Sequence, residues 1–180
     1  MNDIVINKIQ KRGRNCAMGK DSLITQEARA MIGKETETVT GVAHLKEIRR
    51  FCYAVGDINP LYLDEETAAA SRNRGVVAPP MFFEIPTTQE FPLDLLKEDG
   101  IVQSRNPVPL KATRSMAGGN EVEFFKPVRP GDVLTRVTKI ADIYEKQGSS
   151  GPLVFTVFEQ RYTNQDGELV AISRVTGISR

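Results

Sequence analysis

Residues 54–64 read Ala54-Val55-Gly56-Asp57-Ile58-Asn59-Pro60-Leu61-Tyr62-Leu63-Asp64, and residues 78–82 read Ala78-Pro79-Pro80-Met81-Phe82. The first stretch is a turn of small and turn-forming residues with one carboxylate, Asp57, at its mouth. The second is a proline pair opening onto an apolar segment. Either Asp57 closes the loop through its own backbone, as aspartate in Gly-Asp turns does, or the loop holds it out for chemistry.

The flanking pattern is helical. Upstream, Leu45, Ile48, Phe51, Cys52 and Val55 recur at helical spacing while Lys46, Glu47, Arg49 and Arg50 face the other way, so an amphipathic helix ends at Gly56. Downstream, Asp64 can cap a second helix with Glu65 and Glu66 in its first turn, where the helix dipole favours negative charge, and Ala68 to Ala70 continue it towards Gly75. Two short helices therefore bracket residues 57–63. Proline suits a first helical position, so Pro79-Pro80 predicts an apolar helix from Met81-Phe82-Phe83, limited or kinked at Pro86.

Farther out, Asp21-Ser22 offers an N-cap for a short helix through Leu23, Ile24, Ala28 and Met31 that stops at Gly33. Residues 36–43 read as a strand. Residues 91–119, broken by Pro92, Gly100, Pro107, Pro109 and Gly118-Gly119, read as loop with a turn or two of helix at 93–97. Residues 121–125, 132–143, 153–163 and 168–178 are strand-like, rich in valine, threonine and aromatics and separated by turn clusters. Helices precede strands instead of alternating with them, which gives an α+β class: an antiparallel sheet with helices on one face. Residues 1–20 read as an N-terminal arm and 21–180 as a single domain.

Composition narrows the function. The chain has 180 residues, a formal charge of +1 and 40% hydrophobic residues, which fits one soluble domain with a self-sufficient core. A balanced charge makes no case for nucleic acid, and no run reaches the roughly 20 apolar residues of a membrane span. The cysteines, Cys16 and Cys52, are too few for a disulfide framework or a metal site, so a reducing cytoplasm is expected. The apolar cluster at 4–9 is interrupted by Asn7 and Lys8 and does not read as a signal peptide.

The segment from Phe51 to Phe82, with Gly119 to Asp132 and Arg161 to Ala171, resembles the MaoC-like dehydratases, in particular their N-terminal-type branch related to the dehydratase region of type I fatty acid synthases. Several blocks in the right order carry the resemblance. It implies a hotdog fold, a curled antiparallel sheet around a central helix beginning near Pro80, paired with a second hotdog subunit. Active members are (R)-specific enoyl-CoA hydratases or 3-hydroxyacyl-thioester dehydratases. In them a loop aspartate and a histidine five residues later activate water, while a backbone N–H at the start of the central helix stabilises the enolate oxygen.

Carried over residue by residue, Asp57 matches the aspartate and Asn59 the asparagine that shapes the loop, but Tyr62 stands where active members have histidine. A phenol with an ordinary pKa near 10 is a poor base at neutral pH. Pro80 aligns with the residue, commonly glycine, that donates the backbone N–H, and proline has none. The catalytic candidates are thus a degenerate pair, Asp57 and Tyr62. The substrate-binding candidates are Asn59, Pro60, Ala78, Pro79, Pro80, Met81 and Phe82, with Lys126 and Arg129 as contacts for coenzyme A phosphates. Arg72 and Arg74 are a second cationic pair, and His44, the only histidine, lies outside the motif. Phe82-Phe83 and Phe124-Phe125 read as core, with a ring of each able to line an acyl tunnel.

No cofactor or metal is expected; the substrate is an acyl-CoA or acyl-carrier thioester. Three readings stand together: a binding subunit beside a catalytic MaoC-like partner in a hetero-oligomer, a self-sufficient homodimeric hydratase using Asp57, and a non-enzymatic acyl-thioester binding module.

Overall fold

A computed structural model describes residues 22–89, 92–96, 98 and 108–180 of the chain. The expected arm at 1–20, Cys16, Lys97 and most of the 91–107 loop lie outside the described residues. In chain order the elements are α1 Gln26–Ala30, β1 Glu35–Val42, α2 Leu45–Val55, α3 Pro60–Leu63, α4 Glu65–Ala70, 3-10 helices at Phe82–Thr87 and Leu93–Leu95, then β2 Ser115–Phe124, β3 Val133–Gly148, β4 Gly151–Thr163 and β5 Leu169–Ser179. The strands form one antiparallel sheet in the order β1-β3-β4-β5-β2. The α+β class expected from the pattern is the one observed.

Strands β3, β4 and β5 form the central meander. The turn between β3 and β4 is only Ser149-Ser150, closed by the Gly148 and Gly151 pair. At the other end Asn164 organises the β4–β5 turn: its Oδ1 accepts from the Asp166 N–H at 3.1 Å and the Glu168 N–H at 2.9 Å. On the face that carries Lys139, Glu159 and Arg174, ion pairs tie β3 to β4 to β5 and on to Glu123 of β2. These contacts pin the register of four strands.

Several boundaries differ from the expected ones. The cap of α1 is Thr25, whose hydroxyl accepts from the Ala28 N–H at 3.0 Å, because Ser22 is drawn away to donate to Glu145 on β3. Helix α4 stops at Ala70 rather than Gly75, since the Ser71 hydroxyl turns back to the Ala68 carbonyl at 2.7 Å. Residues 60–63, expected as loop, close a turn of helix started by Pro60. Strand β2 begins at Ser115, because β5 supplies a pairing edge that carries the chain through Gly118-Gly119 with a register shift.

The largest correction concerns the element inside the sheet. In place of an α-helix from Met81 that Pro86 limits or kinks, the described residues show a six-residue 3-10 helix, Phe82–Thr87, with Pro86 inside it. Proline cannot donate the bond that would extend a helical ladder, so the segment remains short.

The core lies on the face of the sheet that receives these helices, in two apolar clusters. One gathers Ile48 and Cys52 of α2, Phe82 and Phe83, Leu134 of β3 and Tyr162 of β4. The other gathers Ile24 and Ala28 with Ile140, Ile143, Val154 and Val108. Aromatic edges join the first: Phe82 meets Phe51 at 5.8 Å between centroids, and Phe83 meets Tyr162 at 4.6 Å. Phe124 and Phe125, expected in the core, are instead 54% and 50% exposed, and Phe124 touches it through Phe83, at 5.8 Å. Full burial of Ile48 alone is worth about 1.5–3 kcal/mol, so α2 is docked firmly and its C-terminal loop is held in place.

Candidate functional site

Helix α2 ends because Gly56 takes the left-handed conformation, φ 74°, and its N–H and that of Asp57 both return to the Cys52 carbonyl. The chain then turns through Asp57 to Asn59 into α3. Capping falls to Asn59 and Asp64: Asn59 Oδ1 accepts from the Leu61 N–H at 3.0 Å, and Asp64 Oδ1 from the Thr67 N–H at 2.7 Å. Asp57 is left with no such task. Its half-buried carboxylate makes no hydrogen bond among the described residues.

Tyr62, on α3, packs partly buried against the first cluster. Burial pushes its phenol pKa up, and the negative charge of Asp57 pushes it further. Burial, then the same charge, raises the Cys52 thiol. Asp57, Tyr62 and Cys52 are thus brought together, with Tyr62 and Cys52 neutral near pH 7 and Asp57 the charge they both feel. Cys52 is wholly buried. It was read from the sequence only as a core position, and nothing in the apolar spacing marks its nearness to Asp57.

The second motif folds back beside the first. The Val77 N–H donates to the Leu61 carbonyl at 3.3 Å, and the Ala78 N–H to Val128 at 2.8 Å. Ala78 and Pro79 are buried, Pro80 is exposed, and the Phe82 N–H closes the turn onto the Pro79 carbonyl at 3.2 Å. Met81 sits at φ 71°, a region costly for any residue but glycine. Proline at the second position and positive φ at the third are the marks of a type II turn. The Met81 N–H has no hydrogen-bond partner among the described residues. A donor is therefore on offer one residue beyond Pro80, held by a strained backbone.

The two cations considered for phosphate are differently placed. Lys126 pairs with Glu168 at the end of the β4–β5 turn. Arg129 donates to the Asn73 carbonyl at 2.6 Å and lines a shallow depression of about 360 Å³ with Leu45, Glu65, Val76 and Pro130. Among the described residues no cluster of histidine, cysteine and carboxylates is disposed to hold a metal, and no helix is long and apolar enough to cross a membrane.

The family described as FAS1-like, dehydratase domain region, matches residues 30–173, most of the chain, from β1 into the first half of β5. The chain belongs to this family. Its fold is the MaoC-like hotdog. The chain is 32% identical over 132 residues to a probable enoyl-CoA hydratase alpha subunit of Thermomonospora curvata, a match covering 71% of this chain but 41% of that relative. It thus spans about two fifths of the length of this relative. In three dimensions it resembles a chain of the ChsH1–ChsH2 complex of Mycobacterium tuberculosis, with TM-score 0.66 and 22% identity over 85% of this chain and 89% of that one. It also resembles a MaoC-like dehydratase of Rhodospirillum rubrum, with TM-score 0.55 and 22% identity over 79% and 90%.

Proposed function

We propose that this chain is the acyl-thioester-binding subunit of an (R)-specific enoyl-CoA hydratase or 3-hydroxyacyl-thioester dehydratase, paired with a second hotdog subunit whose aspartate and histidine carry the chemistry. One observation carries the reading: the residue five places after Asp57 is a phenol whose burial and anionic neighbour hold it protonated. Hydration across a double bond needs a base that accepts the proton of water near neutral pH and returns it. Tyr62 can donate a hydrogen bond but cannot take that proton.

The turn at Pro79 to Phe82 supports a binding role. The unpartnered Met81 N–H is suited to the thioester carbonyl oxygen, and Phe82 and Phe83, which follow it, anchor the turn in the first apolar cluster. Arg129, at the rim of its depression, is the better placed of the two cations for a coenzyme A phosphate, because Lys126 is already committed to Glu168. The heteromeric names of the relatives, an alpha subunit and a chain of a two-component complex, fit a chain that works beside a partner.

One observation favours a self-sufficient homodimer as second reading: the Asp57 carboxylate is uncommitted and could hold a water itself. Hydration of a trans-2-enoyl-CoA separates the two. The chain is assayed alone and with the product of the adjacent gene; turnover only in the mixture supports the binding subunit, and turnover by the chain alone supports the homodimer.

A further inference from the structure

The two apolar clusters do not meet across the sheet, because polar residues lie between them. In β3 the alternating residues Leu134, Arg136, Thr138 and Ile140 share one face, with Leu134 in the first cluster and Ile140 in the second. Thr138 is paired with Glu37 on β1 and Gln160 on β4, and Gln160 with Ser173 on β5, so a polar row crosses four strands.

Much of this row is satisfied from within. Arg136 Nη2 donates to Glu37 at 2.6 Å, the Tyr162 hydroxyl to Gln160 at 3.1 Å, and the Ser173 hydroxyl to Asn120 at 2.9 Å. Two atoms are not: Arg136 Nε and Thr138 Oγ1 are buried without a hydrogen-bond partner, and Thr138 is only 6% exposed. Glu84, on the 3-10 helix that packs on β1 and β3, is half-buried; its carboxyl lies within the electrostatic reach of Arg136 and Tyr162 and makes no hydrogen bond among the described residues. Buried polar groups left unpaired cost stability and point to an occupant.

The occupant's chemistry follows from what is left over. An N–H that can only donate, a carboxyl that accepts, and a hydroxyl that does either are completed by a group that both accepts and donates. Two carboxylates, Glu37 and Glu84, face one guanidinium, which disfavours an anion, while the Arg136 N–H disfavours an ammonium. A neutral hydroxyl meets both conditions.

We infer that Arg136, Thr138 and Glu84 form a subsite for a hydroxyl group carried on the acyl chain beyond the reacting carbons. The inference rests on the thioester-binding reading. The Glu84 N–H donates to the Met81 carbonyl at 3.3 Å, which puts Glu84 one 3-10 turn, roughly 6 Å of rise, past the turn assigned to the thioester.

The test is calorimetric binding of medium-chain ω-hydroxyacyl-CoAs and their unsubstituted counterparts to the full chain, alone and with its partner. The subsite predicts a hydroxyl preference of about tenfold at one chain length, the yield of two net hydrogen bonds. It predicts that the ratio of affinities falls towards one in Thr138→Val and in Glu84→Gln; a merely structural loss would weaken both ligands alike and leave the ratio intact. Equal affinity for both ligands at every length means that the orphaned groups hold only water; it overturns the subsite and leaves the thioester reading standing. A preference that survives both variants overturns the assignment to these residues. Failure of either ligand to bind in any combination overturns the subsite and the thioester reading together.

Discussion

Gly41 of β1 lies directly against the backbone of Pro86: a Cβ at position 41 would fall 1.6 Å from the Pro86 carbonyl oxygen and 2.5 Å from its carbon. This backbone-on-backbone contact seats the 3-10 helix on the sheet, and with it the Met81 turn at one end and Glu84 at its middle. The obstacle is main chain, so no rotamer can relieve it. Gly41→Ala is expected to cost about 3 kcal/mol, at the upper end of ordinary overpacking, read as a lowered denaturation midpoint. An unchanged midpoint would mean that the 3-10 helix is not anchored there.

Asp64 and Asp57 stand seven positions apart in one loop region and predict opposite results. Hydrogen bonds from Thr67 hold the Asp64 carboxyl below its ordinary pKa, so its contribution is present above the ordinary carboxylate value and lost as pH falls through the lower folded value. Asp64→Ala therefore lowers the thermal midpoint at pH 7, and the difference shrinks on acidification. Asp57→Asn leaves the midpoint unchanged, because its carboxylate caps nothing. Equal destabilisation by the two would return Asp57 to a structural role.

Glu84 works in the other direction. Burial raises its carboxyl, with Arg136 offsetting only part of the effect. A folded pKa above the unfolded one means that the native state binds more protons, so stability declines as pH rises from the ordinary carboxylate value through the folded value. Glu84→Gln removes that decline: the variant is more stable than the parent at pH 7, and the gain disappears in acid. A variant less stable than the parent at pH 7 would show that the ion attraction of Arg136 outweighs burial.

On the sheet, burial alone would raise Glu159, but hydrogen bonds and charges from Lys139 and Arg174 outweigh it and hold the carboxyl below its ordinary value. Glu159→Gln is expected to cost about 1 kcal/mol, less at high salt. Its effect is fully present above the ordinary carboxylate pKa and fades as pH falls through the folded value. A salt-independent loss at pH 7 would assign the effect to packing.

Local signals in the sequence were enough to locate α2, whose apolar spacing and Gly56 stop match the structure, and the meander, whose turn residues bound β3, β4 and β5. What they could not show is set by partners distant in sequence. Ser115 to Gly119 carries two glycines and reads as loop until β5 pairs with it. The apolar run after Pro80 reads as a helix limited or kinked at Pro86, and nothing nearby announces its 3-10 form or the seat that Gly41 offers Pro86. At the candidate site the loop motif drew attention to Asp57 and Tyr62, but Met81's positive φ and unpartnered N–H emerge only once Pro79 and Phe82 close their turn. The polar row was invisible for the same reason: Glu37, Thr138, Gln160 and Ser173 are scattered in sequence and aligned only by register.

The division of labour between this chain and a partner is tested most directly by exchanging Asp57 for Asn in the assembled complex and measuring hydration of a trans-2-enoyl-CoA. If the partner supplies the acid and base, kcat stays within about twofold of the parent complex, a difference of less than 0.5 kcal/mol in the barrier. A fall of about a hundredfold or more, or turnover by this chain alone that vanishes in Asp57→Asn, would make Asp57 a working catalytic residue and contradict the account.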